Sequence, residues 1–253
     1  MASTEIRTAL VTGASSGIGA ALCRLLAAQG ITVALAARRE EALRELAETI
    51  AADGGQASAH RIDVSDPEAT IEAIEAIDDE LGGLDLVVAN AGVVKGKWSG
   101  KLGWEDCRDI LAVNVAGATA TLIAVVSRMV ERKRGHLVGI SSIASYRGLP
   151  KLAAYSGSKA YLSNLLEGMR IDLRGTGVSV TDIRPGYVRT AMNEDTKGKL
   201  PFEVTAEDAA ARIWKAIRAR RAVLTFPLPM AAGAHTMGAL PNLLYDRMMK
   251  RGK

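Results

Sequence analysis

Tyr155 and Lys159 stand four positions apart in the sequence AAYSGSKAYL, residues 153–162. In a helix, residues at i and i+4 share a face, so the phenol and the ammonium would be neighbours. A cation beside a tyrosine favours its ionised form, which would make the phenol a usable acid and base. The same spacing also occurs in ordinary helices as surface decoration, so the rest of the sequence must distinguish the two interpretations.

A glycine-rich turn, TGASSGIG (12–19), follows the first apolar strand. Gly13 permits a tight turn, Gly17 lets the backbone approach a pyrophosphate, and Gly19 lets a helix pack closely on a sheet. The N-terminus of that helix offers N–H groups and a positive dipole end to phosphates. The spacing is G-x-x-x-G-x-G, but its place between first strand and first helix predicts a dinucleotide site. We assign to this site Gly13, Ser15, Ser16, Gly17, Ile18 and Gly19.

The end of the second apolar run, LAARRE, carries arginines where an acidic residue would contact the adenosine ribose. Ala37 occupies the acidic position, and Arg38 and Arg39 follow it. A guanidinium binds phosphate through a planar fork of donors, so the pattern predicts NADP(H) in preference to NAD(H). The alternative is that both arginines only solubilise the start of a helix.

Later strands are followed by further candidate cofactor residues. Asp63, with Val64 beside it, is placed either to accept a hydrogen bond from the adenine amino group or to form a turn. After the fourth strand, Asn90, Ala91 and Gly92 are small residues where the protein backbone must pass close to the cofactor. After the sixth strand, Pro185 and Gly186 are placed beside the nicotinamide, and Val188 and Thr190 are placed to hydrogen-bond its amide. Because ligands collect beyond the carboxyl ends of parallel strands, these residues together outline one extended ligand.

Apolar runs alternate with helical stretches over most of the chain. Runs of this kind, each followed by an amphipathic helix, indicate a parallel sheet covered on both faces. The sequence shows no linker, low-complexity tract or repeat, so we predict a single α/β domain over residues 1–253. Its doubly wound, Rossmann-type parallel sheet should have about seven strands, from the runs 7–13, 31–37, 57–64, 84–92, 135–142, 178–186 and 222–226.

The composition is that of a globular protein with a sizeable core, with 48% hydrophobic and 24% charged residues in 253. Cys23 and Cys107 form no framework of paired cysteines, and Glu5 and Arg7 lead directly into an apolar strand without a signal peptide. We therefore expect a cytoplasmic protein. The net charge of +4 comes from scattered lysines and arginines, which argues against a nucleic-acid partner. We assign no metal ligands.

The segment 222–245 contains no Asp, Glu, Lys or Arg and is long enough to span a bilayer. Pro227, Pro229 and Pro241 would interrupt a spanning helix. We therefore predict a C-terminal strand and helical tail over 222–253, packed in the core or a subunit interface, rather than peripheral membrane attachment. Residues 190–208, of mixed polarity, are predicted to form a substrate lid.

With these residues located, the sequence resembles the short-chain dehydrogenase/reductase family in its single-domain branch. The resemblance covers about residues 6–225 and rests on the ordered motifs TGASSGIG, NAG, NVAG, ISS, YSGSK and RPG. It implies a Rossmann-type sheet, a nicotinamide cofactor, a homodimer or homotetramer, and the catalytic tetrad Asn114, Ser142, Tyr155 and Lys159. The usual family interval of thirteen residues selects Ser142 over Ser141.

The resemblance implies an NADPH-dependent oxidoreductase that reversibly reduces a ketone or aldehyde. Tyr155 would exchange a proton with the carbonyl oxygen, and Ser142 would hydrogen-bond that oxygen. Lys159 and the positive nicotinamide would lower the pKa of Tyr155, and Lys159 would also hold the nicotinamide ribose. Asn114 would hold a water that connects Lys159 to solvent.

The substrate and the competing functions are less constrained. Apolar residues of the uncharged tail, around Phe226, Met230, Met237 and Leu240, indicate an apolar pocket or an interface. If they form a pocket, they favour a bulky hydrophobic carbonyl substrate. One alternative is a non-catalytic NADP(H)-binding regulatory or scaffold protein, although all four tetrad residues are present. Another is a reductase that uses the same site on an imine.

Overall fold

A computed structural model describes residues 5–189 and 200–250. Each apolar run predicted to be a strand forms one. In chain order the elements are β1 (Thr8–Thr12), α1 (Gly17–Ala28), β2 (Thr32–Ala37), α2 (Glu40–Ala52), β3 (Ala57–Arg61), α3 (Pro67–Glu80), β4 (Leu86–Ala89), α4 (Trp104–Ile110), a π-helical stretch (Leu111–Gly117), α5 (Ala118–Ile123), α6 (Val126–Glu131), β5 (Gly135–Ile140), α7 (Ala153–Asp172), β6 (Val178–Pro185), α8 (Ala206–Arg218), β7 (Val223–Phe226), α9 (Leu228–Ala239) and α10 (Asn242–Lys250). Short 3₁₀ turns lie at Ser99–Lys101 and Ile143–Ser145.

The seven strands form one sheet in the order β3-β2-β1-β4-β5-β6-β7, and every pair is parallel. This confirms the predicted doubly wound, Rossmann-type fold. The chain winds outward from β1 to β3, then returns to place β4 on the other side of β1. The strand order therefore reverses between β1 and β4, which opens a crevice at their carboxyl ends. The assignment of residues 1–253 to a single domain stays a prediction.

Both faces of the sheet are covered, which explains the continuous apolar runs. Successive strand residues point to opposite faces. Val11 of β1 belongs to the apolar layer that contains Leu22 of α1 and Ile213 of α8. Leu10, one position earlier, belongs to the layer that contains Leu122 of α5 and Leu166 of α7. Neither face of the strand meets water, so no polar residue alternates along it.

The helical segment Trp104–Glu131 is long and apolar enough to cross a membrane by length and composition, with a mean hydropathy of 2.0 in its most apolar window. Of that window, 56% is buried within the protein, where the segment packs against α3 and α7. At Gly117 an added Cβ would lie 2.3 Å from the Val64 carbonyl oxygen. Glycine therefore lets the end of the π-helical stretch rest directly on the turn after β3.

The C-terminal part of the chain confirms the predicted strand followed by a helix, as β7 and α9, and α10 follows after Pro241. Of the predicted lid, residues 190–208, the structure describes only the second half. Residues 190–199, including Thr190, lie outside the described residues. The lid stays a prediction, and its last residues, 206–208, form the first turn of α8, where the Thr205 hydroxyl accepts a hydrogen bond from the Asp208 N–H at 3.1 Å.

Asp78 of α3 is a buried carboxylate that joins α3 to the residue after α6. Its Oδ1 accepts hydrogen bonds from the Leu84 N–H at 2.6 Å and from Arg132 Nη2 at 2.9 Å, and its Oδ2 accepts one from Arg132 Nη1 at 2.7 Å. Burial raises the pKa of Asp78, but Arg132 and the Leu84 N–H outweigh it and hold that pKa below its usual value. The adjacent Asp79 pairs with Arg128 and is 69% exposed.

We expect Asp78→Ala to lower the free energy of unfolding by about 3 kcal/mol near neutral pH, because Arg132 loses its partner in a largely buried pair. Asp79→Ala, the control, should lower it by less than about 1 kcal/mol. Because the folded pKa of Asp78 lies below the unfolded value of 3.8, its stabilisation is complete above that pH and is lost as the pH falls through the folded pKa. Urea unfolding at about pH 7 and about pH 3 measures both effects. Equal losses for the two variants would contradict this account.

Candidate active site

A cavity of about 460 Å³ lies at the carboxyl ends of the strands, across the reversal point between β1 and β4. Its lining brings together most of the predicted site residues: Gly13, Ser15, Ser16, Gly17, Ile18, Arg38, Arg39, Asp63, Val64, Asn90, Ala91, Gly92, Ser142, Tyr155, Lys159, Pro185, Gly186 and Val188. Gly19 and Asn114 lie behind this lining. Thr190 is outside the described residues.

The glycine turn needs glycine for two physical reasons. Gly13 and Gly17 have φ values of 68° and 55°, in the left-handed region that side chains disfavour. An added Cβ at Gly13 would lie 2.8 Å from Ala91 Cα, and one at Gly19 would lie 2.4 Å from the Gly13 carbonyl oxygen. In the part of the chain that is described, the Ser16 side chain makes no hydrogen bond to cap α1, so the first-turn N–H groups are available to phosphate oxygens. The turn fits the diphosphate of a dinucleotide.

Two polar residues hold the ends of β1 and β4 together. The Thr12 hydroxyl accepts hydrogen bonds from the N–H groups of Asn90 and Ala91, at 3.1 and 3.2 Å. The Asn90 side-chain amide donates in return to the Thr12 carbonyl oxygen at 2.8 Å. From the sequence, Asn90 was assigned only as part of a run of small residues beside the cofactor, and Thr12 was given no role. The available signal was that Thr12 begins the glycine-rich motif.

At the far end of the cavity, Arg39 folds over the glycine turn. Its Nη2 donates to the hydroxyls of Ser15 and Ser16, at 3.0 and 2.9 Å. Arg38 also lines the cavity and is exposed, and its positive charge lowers the pKa of Asp63. Two guanidinium groups and two hydroxyls therefore surround this end of the cavity, where the resemblance places the adenosine.

Asp63 forms a turn, which is the second of the two roles open to it from the sequence. Its Oδ1 accepts hydrogen bonds from the Ser65 N–H at 3.1 Å and from the Ser65 hydroxyl at 2.8 Å. Burial raises the pKa of Asp63, but Ser65 and the charge of Arg38 outweigh it and lower that pKa. The carboxylate still lines the cavity, so the two roles are compatible.

Lys159 places a buried ammonium at the centre of the site. The residue is 5% exposed, and its Nζ donates to the Ile140 carbonyl oxygen at 2.9 Å. An added Cβ at Gly92 would lie 3.4 Å from Nζ, so glycine leaves this space open. Burial lowers the pKa of Lys159 to about 8, and the Asp182 carboxylate opposes that change.

Tyr155 lies one helical turn before Lys159 on α7, with Lys159 Nζ 5.8 Å from the centre of its ring. Burial raises the pKa of Tyr155, and the Ser142 hydroxyl acts in the opposite direction. The sequence predicted that Lys159 lowers the pKa of Tyr155. In the structure the pKa is raised instead, because the desolvation of the phenolate outweighs the stabilisation that the surrounding side chains provide. With its pKa raised above the usual value of 10, the phenol is protonated at neutral pH.

The two serines at the end of β5 have different partners. The Ser142 Oγ accepts a hydrogen bond from the Ala144 N–H at 3.1 Å, and the Ser142 side chain also hydrogen-bonds the Tyr155 side chain on the same cavity lining. The Ser141 hydroxyl donates to Asp182 Oδ1 at 2.6 Å and is buried within the β5–β6 contact. The geometry thus agrees with the family interval, which selects Ser142.

Asn114 sits in the π-helical stretch and binds the loop after β4. Its Oδ1 accepts from the Val93 N–H at 2.8 Å, and its Nδ2 donates to the Val93 carbonyl oxygen at 2.9 Å and to the Ser158 hydroxyl at 3.1 Å. An irregular helix at such a position is typical of functional sites. The side chain mainly fixes the loop beside Gly92, and the water proposed for it stays a prediction.

The wall opposite the glycine turn is apolar, but it does not come from the predicted residues. Among the described residues, those of α9 and α10 are absent from the cavity lining. The wall consists instead of Val93, Val94, Val113, Ile143, Ala144, Leu149 and Leu152. Met230 of α9 packs behind Gly186 of the cavity lining, where a Cβ added at Gly186 would lie 2.6 Å from the Met230 sulfur. Phe226, Met230, Met237 and Leu240 therefore do not line the cavity, which was one of the two roles, pocket or interface, that the sequence left open for them.

Comparison with known proteins identifies relatives over the whole chain. A family model described as short chain dehydrogenase matches residues 7–200. An uncharacterised oxidoreductase of Myxococcus xanthus is 47% identical over 251 residues, which cover 99% of each chain.

Solved structures give the same result for the fold. A short-chain dehydrogenase/reductase from Burkholderia phymatum, in complex with NAD, superposes with a TM-score of 0.84 at 25% identity. The superposition covers 93% of this chain and 94% of the Burkholderia chain. An alcohol dehydrogenase from Thermococcus sibiricus, complexed with 5-hydroxy-NADP, has a TM-score of 0.80 at 28% identity, with 88% and 96% covered. Sequence motifs, sheet order and relatives agree, and this chain belongs to the short-chain dehydrogenase/reductase family.

Proposed function

We propose that the protein is an NADPH-dependent oxidoreductase that reversibly reduces a ketone or aldehyde to an alcohol, with Tyr155 as the acid and base. One observation carries this proposal. Ser142, Tyr155 and Lys159 line the same cavity as the glycine turn and the two arginines. A dinucleotide that spans the cavity from Arg38 would bring its reactive end to the tetrad. When bound, NADPH supplies the hydride.

The chain's own residues supply the proton and the orientation. Tyr155, kept protonated by burial, donates its phenolic proton to the carbonyl oxygen during reduction and accepts it again during alcohol oxidation. The Ser142 hydroxyl donates a hydrogen bond to the same oxygen and stabilises its developing negative charge. Lys159 holds the nicotinamide ribose and, through its charge, favours the phenolate left after proton transfer.

We expect Tyr155→Phe to lower kcat by at least about 100-fold, because it removes the positioned proton donor while keeping the ring that packs on α7. The dissociation constant for NADPH, measured by fluorescence titration, should change by less than about twofold. Tyr161→Phe is the matched control, since Tyr161 is 41% exposed on α7 and its hydroxyl contacts only Thr119 among the described residues.

Retained turnover in Tyr155→Phe would reject the assigned acid. A wild-type protein that binds NADPH tightly but reduces no carbonyl compound would instead favour the non-catalytic binding protein, or an imine as the substrate.

The choice of NADP(H) over NAD(H) is part of the proposal, because structural relatives of this fold hold cofactors of both kinds. It is supported by the neutral side chain of Ala37 and by the position of Arg38 and Arg39 on the cavity lining. Arg39 already bonds the hydroxyls of Ser15 and Ser16, so a 2′-phosphate there would meet guanidinium and hydroxyl donors together.

The two arginines should respond differently to substitution. We expect Arg38→Ala to lower kcat/KM with NADPH by about tenfold and to leave kcat/KM with NADH within about twofold, because it removes only a phosphate partner. Arg39→Ala should lower both, since it also releases the glycine turn. Arg44→Ala is the control, because Arg44 pairs with Glu40 on the exposed side of α2. Equal use of NADPH and NADH by the wild type would refute the phosphate assignment.

The remaining parts of the proposal concern substrate and setting. The apolar wall formed by Val93, Ile143, Leu149 and Leu152 supports a hydrophobic carbonyl substrate. We further propose a homodimer or homotetramer, as the family resemblance implies, and a cytoplasmic setting, which the lack of a framework of paired cysteines supports. A carbonyl panel followed by NADPH oxidation, then repeated with NADH, tests the substrate class directly.

A further inference from the structure

The loop between Ser142 and α7 supplies much of the substrate-side wall. Four residues of this segment, which we term the substrate loop (residues 143–152), line the cavity: Ile143, Ala144, Leu149 and Leu152. Its end is tied to α7, because the Leu149 N–H donates to the Ser156 hydroxyl at 3.2 Å. The loop connects Ser142 to Tyr155, so its shape also affects how those two hydroxyls face a substrate.

The middle of the substrate loop is bound to the C-terminal segment through Tyr146. The Tyr146 hydroxyl lies 2.9 Å from the Thr225 hydroxyl of β7 and 3.1 Å from His235 Nε2 of α9. Its ring lies 4.6 Å from the His235 ring on one side, and the Arg184 guanidinium lies 4.7 Å from the ring centre. Tyr146 is thus fixed by three elements that lie far from it in sequence.

The next two residues of the loop are bound to α9 and α10. Arg147 donates to the Gly238 carbonyl oxygen at 3.4 Å and to Asn242 Oδ1 at 2.7 Å, and its guanidinium lies 4.5 Å from the centre of the Tyr245 ring. The Tyr245 hydroxyl donates to the Gly148 carbonyl oxygen at 2.5 Å. Tyr245 is buried, whereas its neighbours on α10 are exposed, so this side chain is the main attachment of α10.

From these contacts we propose that α9 and α10 determine substrate selectivity without touching the substrate, by holding residues 146–148 and thereby the apolar wall. Tyr146, Arg147 and Tyr245 are positioning residues for the reaction. Loosening them would let the wall move where a bulky carbonyl substrate packs, while the glycine turn and the arginines on the other side of the cavity keep their contacts.

Two observations favour this role over simple structural support. Among the described residues, the hydrogen bonds that join α9 and α10 to distant parts of the chain converge on three consecutive loop residues. They also come from a part of the chain beyond residue 200, where the match to the family model ends.

The test compares Tyr245→Phe, Tyr245→Ala and Tyr146→Phe with Tyr161→Phe, which removes a surface hydroxyl from α7. We expect Tyr245→Phe to raise KM for bulky aryl ketones by about fivefold, the usual effect of one lost hydrogen bond, with kcat for small aldehydes within about twofold. Tyr245→Ala should raise KM further, because it also removes the ring under Arg147. The dissociation constant for NADPH should not change.

Hydrogen exchange measured by mass spectrometry gives a readout that needs no substrate. Amides of residues 143–152 should exchange faster in Tyr245→Ala and Tyr146→Phe than in Tyr161→Phe, and those of the glycine turn should not. Unchanged exchange in residues 143–152, or faster exchange with an unchanged ratio of KM values for bulky and small carbonyls, would overturn the inference. The KM comparison rests on the proposed function. Failure to reduce any carbonyl would overturn that function alone, because the hydrogen-exchange result does not depend on a substrate.

Discussion

The burial of one ammonium group sets the geometry of the whole site. A charge that is nine-tenths or more removed from water is costly unless polar atoms meet it, and for Lys159 two adjacent strands supply them, a carbonyl oxygen of β5 and a carboxylate of β6. Its Nζ binds the Ile140 carbonyl oxygen at the end of β5, lies beside Gly92 after β4, and is favoured by the charge of Asp182 on β6. These partners coincide only because β4, β5 and β6 run parallel and in register, with Ile140 opposite Ile183. The sheet order is therefore a requirement of the chemistry as much as of the packing.

The same burial determines which proton state the site rests in. In the protein by itself, desolvation raises the pKa of Tyr155 and lowers that of Lys159 to about 8, so the pair does not lie in the phenolate–ammonium state that adjacent charges alone would favour. A protonated phenol is the form that reduction of a carbonyl consumes. In the proposed reaction the charge of Lys159 then becomes useful after proton transfer, when the phenolate must be stabilised next to it in a dry site.

Features that are local in sequence could be predicted, and features that depend on distant contacts could not. The strands were predictable because burial on both faces produces continuous apolar runs, and the glycine turn because the left-handed φ of Gly13 admits little else. The adjacency of Tyr155 and Lys159 follows from helical spacing alone. By contrast, the bonds of Asn114 to Val93 join residues 21 positions apart. The direction of the Tyr155 pKa shift depends on how much water the folded chain excludes, and no sequence pattern measures that.

The two sides of the cavity are held together by different partners. The cofactor side is built from short motifs at successive strand ends, which contacts such as those between Thr12 and Asn90 join across β1 and β4. On the substrate side, the apolar wall is held by partners about 90 residues away, such as Gly238 for Arg147 and Gly148 for Tyr245. If α9 and α10 have the role proposed for them, exchanges in these helices would move the wall without disturbing the glycine turn. A fold arranged in this way can keep one redox reaction while it changes the molecule on which the reaction is performed.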